Sequence, residues 1–221
     1  IIDVDDFSDL DLSDSIDGGE GTDALRFSEN IAHDLTTATI LTGISNIESY
    51  TFSALNNKVV TINDTVMNDG AVTIEFTSGM TVDAASTLNA SGVLTTSSTI
   101  NFTDNSTAGN NVYTLSNAID NASMGVDTDT FGTDTLAYLT ATDTLNGGAG
   151  ADTLAITQVY VGTTTITEAQ LAGMTSVETI NINTSNNATT DVYSLTITDA
   201  VVANQINSGE TMTLTRDASD A

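Results

Sequence analysis

The triplet Asp-Thr-Leu begins at residues 134, 143 and 152, so one nine-residue frame carries it three times. A glycine-rich turn, Gly147-Gly148-Ala149-Gly150, separates the last two copies. A short fixed period constrains a chain severely, because each repeat is one structural unit that must bury its apolar face on the next. The same frame recurs near the start. GGEGTDALR (18–26) has the layout of GGAGADTLA (147–155), and stepping back by nines from Asp23 reaches Asp14 and then Asp5. Asp5, Asp14 and Asp23 thus correspond to Asp134, Asp143 and Asp152, all at one constant offset.

The correspondence extends downstream into a long repeat. LTGISNIESYTFS (41–53) matches LAGMTSVETININ (171–183), which aligns Gly43 with Gly173 and Glu48 with Glu178. The chain therefore reads as two tandem units, 1–133 and 134–221, with the second cut short. Each opens on nonapeptide-like sequence, over 5–26 and 134–155. Within the units, AVTIEF (71–76), ETININ (178–183) and VYSLTIT (192–198) alternate apolar and polar residues, the pattern of half-buried strands. One helix is expected: Thr167 as N-cap, Gln170 three residues on, and Gly173 as the stop. The fold class is all-β, built of tandem β-rich units as a β-solenoid or a β-sandwich.

Charge narrows the partners. The 221 residues carry 30 Asp and Glu against 3 Lys and Arg, a net charge of −27. Such a chain repels nucleic acid and anionic membranes, and no apolar run is long enough to insert in a bilayer. Its own carboxylates also repel one another unless a cation neutralises them, and hard oxygen ligands suit calcium. A halophilic or merely solubilising acidic surface is the alternative. Cysteine is absent, so disulfides cannot staple the fold. The chain begins at Ile1, which reads as a processed product or a segment of something larger.

The template Gly-Gly-x-Gly-x-Asp-x-(large apolar)-x, met in full at 18–26 and 147–155, resembles the calcium-binding nonapeptide of RTX proteins. The residue types suit that chemistry. Glycines enter backbone conformations that turn carbonyls toward one point, and the aspartate adds a carboxylate. Leu25 and Leu154 then face the interior. The resemblance implies Ca2+ as the bound ion and Asp5, Asp14, Gly18, Gly19, Gly21, Asp23, Asp134, Asp143, Gly147, Gly148, Gly150 and Asp152 as the residues that hold it. In rolls of that family two nonapeptides make one coil. Asp5 is then expected over Asp23 and Asp134 over Asp152, with Asp14 and Asp143 on the opposite edge. Gly-x-x-x-(Ile/Val)-Glu followed by an alternating strand, at 43–52 and 173–182, is similar to repeats of bacterial surface-layer proteins that carry RTX motifs.

Catalytic chemistry is hard to assemble from these residues. His33 is the single histidine, in NIAHDLTT, and no Gly-x-Ser-x-Gly elbow or phosphate loop occurs. A surface or helix-end role is expected for His33. The reading is a non-enzymatic, secreted calcium-binding structural protein that self-assembles into a surface layer or extracellular filament, its partners being copies of itself. The alternative is a calcium-rigidified extender segment of a large RTX adhesin, and an enzyme's accessory calcium domain comes third.

Overall fold

The structure is a computed structural model, and it describes residues 1–11, 13–36, 43–53, 59–67, 70–77, 85–105, 109–157, 163–182, 192–195, 197–205 and 213–216. Every strand pairing among them is parallel. Two eight-stranded sheets run the length of the molecule. The first holds β1 (Ile2–Val4), β3 (Ala24–Phe27), β6 (Ser49–Phe52), β8 (Ala71–Phe76), β10 (Thr99–Asp104), β12 (Ile119–Ser123), β14 (Thr144–Asn146) and β17 (Met174–Thr175). The second holds β4 (His33–Asp34), β7 (Val59–Asn63), β9 (Thr87–Gly92), β11 (Val112–Thr114), β13 (Thr130–Thr133), β15 (Thr153–Ile156), β18 (Thr179–Ile182) and β20 (Thr213–Arg216). Two short pairs add to these: β2 (Ile16–Asp17) with β5 (Ile44–Ser45), and β16 (Thr163–Ile166) with β19 (Val192–Leu195). Each strand pairs with the one a coil later, which makes the fold a β-solenoid and not a sandwich.

Alternation explains why parallel sheets can face water here. In β8, Val72, Ile74 and Phe76 are buried while Ala71 and Thr73 are exposed. A parallel sheet normally needs both faces covered. The coil removes that need by turning every apolar side chain into one shared interior. Leu25, Tyr50, Ile74, Phe102, Ala122 and Leu145 stack in register down the first sheet; Val60, Leu88, Tyr113, Phe131, Leu154 and Ile180 do so down the second. All twelve are buried. Leu25 and Leu154 therefore face the interior as their place in the nonapeptide requires.

Coil length varies along the solenoid. The turn from Tyr113 to its stacking partner Phe131 is short, and the one from Ile180 to Leu214 is nearly twice as long. The ladders cross the 133/134 unit boundary, β12 pairing with β14 and β13 with β15. The two sequence units are not a whole number of coils apart. From Leu25 the register steps through five coils to Leu145, whereas Leu154, the repeat equivalent of Leu25, lies on the other sheet. The expected helix forms as α1 (Glu168–Leu171), with Thr167 and Gln170 making a reciprocal capping box. A second helix, α2 (Asp199–Gln205), precedes β20. Of the expected strand positions, Asn183 and Thr196 lie outside the described residues.

His33 departs from its expected surface or helix-end place. It is buried on β4, with the rings of Phe7, Phe27 and Phe52 at 4.9, 5.2 and 5.1 Å. Neither ring nitrogen meets a partner in hydrogen-bond geometry. Burial pushes its pKa down to about 4, and the backbone at Ile31 acts in the opposite direction. The apolar partners come from other elements of the coil, so the local sequence around His33 does not reveal them.

Candidate metal centre

The two glycine turns are built alike, down to single hydrogen bonds. The Gly18 N–H donates to the Ser45 carbonyl and the Gly147 N–H to the Thr175 carbonyl, at 3.1 and 3.0 Å. The Asp23 N–H donates to Glu48 Oε2 and the Asp152 N–H to Glu178 Oε2, both over 2.8 Å. Asn46 and Ser176, the residues facing the first glycine, are the two non-glycine residues with positive φ among those described, at 53° and 52°. That costly conformation aims their carbonyls inward. The Asn46 carbonyl lies where a side chain on Gly18 would stand, and the Ser176 carbonyl does the same at Gly147. Asp152 Oδ2 also reaches that spot, 2.6 Å from the Cβ that Gly147 lacks. A carboxylate and a carbonyl thus converge over the first glycine.

Gly148 and Gly150 have φ of 91° and 153°, and the carbonyls of Gly125 and Asp127 press against them from the coil below. The Ala149 N–H donates to the Gly125 carbonyl over 3.2 Å. The seam between turns 124–129 and 147–152 is therefore lined with oxygen.

At the mouth of the second sheet the side chains form a continuous column. The Ser86 N–H donates to Asn111 Oδ1, the Asn111 N–H to Asp129 Oδ1, and the Asp129 N–H to Asp152 Oδ1, each over 2.7 Å; Glu178 receives the Asp152 N–H. Each coil's side chain thus closes a backbone donor of the coil before it. All five residues are buried. Burial pushes the Asp129 carboxyl up to about 7, and the nearby Asp104 and Asp127 charges add to it, while the Asn111 and Gly125 amides pull the other way.

The other sequence candidates sit elsewhere. Asp5 follows the far end of β1 and Asp23 precedes β3, so the two lie at opposite ends of adjacent parallel strands. The same holds for Asp134 after β13 and Asp152 before β15. The expected stacking of Asp5 over Asp23 and Asp134 over Asp152 is therefore corrected. The coil joining β13 to β15 sets Asp129, and not Asp134, over Asp152. Asp5 and Asp134 are exposed. Asp14 and Asp143 each close their own loop: Asp14 Oδ2 accepts from the Asp11 N–H and Asp143 Oδ2 from the Thr140 N–H, both over 2.7 Å. Asp143 Oδ1 also accepts from the Asp120 N–H, and burial raises the Asp143 pKa. Gly19 and Gly21 are exposed, with φ of 82° and 125° and no neighbour where a Cβ would stand. Gly18, Gly19, Gly21 and Asp23 share one turn with Glu48; Gly147, Gly148, Gly150 and Asp152 share the other with Glu178 and Asp129.

Sequence reasoning aligned Glu48 with Glu178 without giving them a place in the site, and it missed Asn111 and Asp129. The signal was there. Asn111 and Asp129 stand two nonapeptide lengths apart, as do Gly109 and Asp127.

Among the described residues no three Asp, Glu, His or Cys side chains gather at one point. A cation here would need backbone carbonyls beside its carboxylates, a mixed oxygen set that calcium accepts. The donors at Gly147 fit that requirement. Without nitrogen or sulfur among them, they suit a hard cation better than zinc or copper.

Fold and turns together define a parallel β-solenoid with oxygen-lined edges. Comparison with protein-family models, with curated proteins and with solved structures gives no match for the chain.

Proposed function

We propose that this protein is a secreted calcium-binding structural protein of the RTX surface-layer type, which self-assembles into a surface layer or extracellular filament. One observation carries the reading: the same glycine turn is built twice, each time with a carbonyl from the next coil over the first glycine. Asp152, its neighbours' carbonyls and the glycine turn would hold the ion, and Asp23 would do so in the first copy. The ion supplies positive charge between coils of a chain at −27. Calcium sites of extracellular modules bind at roughly 10⁻⁴ to 10⁻³ M, which suits a protein that meets its ion outside the cell. The reading is non-enzymatic, and the burial of His33 among aromatic rings supports that.

Ladders that run unbroken through both units also suit a stiff rod, the extender of an adhesin. Electron microscopy of the purified chain with millimolar calcium and with chelator separates the two. Sheets or fibres that form only with calcium support the surface layer. A monomer that merely stiffens supports the extender. Particles indifferent to calcium contradict both.

A further inference from the structure

Charge is spread unevenly over the outside of the coil. The chain has 30 acids, yet the described side chains that point outward from β9, β11, β13, β15 and β18 include neither an acid nor a base. They form two rows along the second sheet. Thr87, Val112, Thr130, Thr153 and Thr179 stand in register in one, and Asn89, Thr114, Gly132, Ala155 and Asn181 in the other. Each is half-exposed and alternates along its strand with a buried residue such as Leu88, Phe131 or Leu154. The first sheet differs. Its outer face carries Asp3 paired with Arg26, and Glu75, which accepts from the Asn105 side chain.

Relief follows from side-chain size. The first row is a ridge of β-branched residues, about 4.8 Å apart from strand to strand. In the second row Gly132 projects nothing and Ala155 a single methyl, so a trough runs beside Thr130 and Thr153. Open space lies where a Cβ on Gly132 would stand. A half-turn about an axis in the plane of the face, along the solenoid and between the rows, lays each row of one copy on the other row of a second. Thr130 then meets the partner's Gly132, and Thr153 the partner's Ala155. At the flanks Thr87 meets the partner's Asn89 and Thr179 the partner's Asn181, pairs able to exchange hydrogen bonds. Such a contact is isologous, one patch serving both copies.

Charge selects the same partner. Copies of a chain at −27 that meet elsewhere oppose carboxylate to carboxylate, which is strongly unfavourable across an interface. The rows offer no ring to a sugar and no base to an anion, so they fit a neutral surface of matching relief. We propose that the outer face of the second sheet, from β9 to β18, is where two copies of this chain pair, threonine ridge into glycine and alanine trough. The contact takes from the proposed function only that copies meet, and it needs no ion within it. The face is narrow, so one contact is weak and the acids around it must be offset before copies approach.

Sedimentation velocity over a concentration series tests it, in millimolar calcium and in chelator at equal ionic strength. The chains are the wild type, Gly132→Glu, Thr153→Glu and, as a control in an exposed turn, Ser97→Glu, each checked by circular dichroism. The wild type and Ser97→Glu should associate alike in calcium. Gly132→Glu has room for its side chain within the fold, fills the trough and sets a carboxylate against the partner's ridge. Its pairing should weaken about tenfold or more. Thr153→Glu should do the same from the ridge, and is the second variant should Gly132→Glu fail to fold. Folded Gly132→Glu or Thr153→Glu chains that associate as the wild type does overturn the proposal, while calcium-dependent assembly of the wild type still stands. Association equal in calcium and chelator, yet lost in both variants, upholds this contact and removes calcium from assembly. A wild type that stays monomeric in both solutions contradicts the contact and self-assembly alike.

Discussion

Asp129 lies directly against Asp152 on the next coil: its N–H donates to Asp152 Oδ1 over 2.7 Å, and the Thr153 N–H donates back to the Asp129 carbonyl over 2.9 Å. A side chain and a backbone ladder thus close together at one edge of the second sheet. The pairing gives the nonapeptide aspartate a structural task that is independent of any ion. Its second oxygen, over Gly147, is the one a cation would meet.

That division of labour separates two substitutions. Asp152→Ala leaves the buried Asp129 N–H without its acceptor, at a cost of about 1–3 kcal/mol. Asp152→Asn keeps an acceptor oxygen and should cost distinctly less. Urea unfolding in chelator measures both. Equal losses would mean that the Asp129 contact contributes nothing.

Two glycines should answer differently to alanine. A methyl group on Gly147 would fall on the Ser176 carbonyl and 2.6 Å from Asp152 Oδ2, so Gly147→Ala should destabilise by about 1–3 kcal/mol. Gly132, on β13, has open space where the methyl would stand and no positive φ. Gly132→Ala should be neutral or stabilising by about 0.4–1 kcal/mol. Thermal unfolding of the two variants checks the order, and a Gly147→Ala chain as stable as the wild type would contradict the close approach.

Much of this was legible in the sequence, though unevenly. Inward Leu25 and Leu154, the alternation in 71–76 and the Thr167 capping box are local patterns, and each formed as its residues dictate. Register was not local. The step from Asn111 to Asp129 has the length of two nonapeptides, but the steps from Asp129 to Asp152 and from Asp152 to Glu178 are longer. Extra residues in the loops shift the stacking without touching the motif. Asp129 therefore took the place expected of Asp134. His33 was misread for a related reason, since its three aromatic neighbours arrive from other elements and only the coiling brings them together.

Buried titratable groups give stability a pH dependence of two opposed signs. Burial raises Asp120 to about 6, even though Tyr113, Ser116 Oγ and the Ser116 N–H all donate to it. A carboxyl whose folded pKa exceeds its ordinary 3.8 favours the fold fully below 3.8, and the benefit is lost as pH rises through about 6. His33, lowered to about 4, behaves oppositely: its benefit is present above about 6.5 and lost as pH falls through about 4. Between pH 6 and 4, Asp120→Asn should therefore lose stability relative to the wild type as pH falls, whereas His33→Leu should gain. Denaturation midpoints across that window measure it. Curves parallel to the wild type for both variants would contradict the burial of these groups.

The central claim is that calcium, held at the glycine turns, joins neighbouring coils. A formed site hardly exists in the unfolded chain, so binding adds to folding stability, by about 2.7 kcal/mol per site at 100 times the dissociation constant. Peptide-resolved hydrogen exchange in millimolar calcium and in chelator tests this most directly. Chelation should strip protection from 18–26, 124–129 and 147–156 first, leaving the strands around Phe52, Phe76 and Phe102 protected. Exchange that is identical in calcium and chelator across those turns would contradict the account.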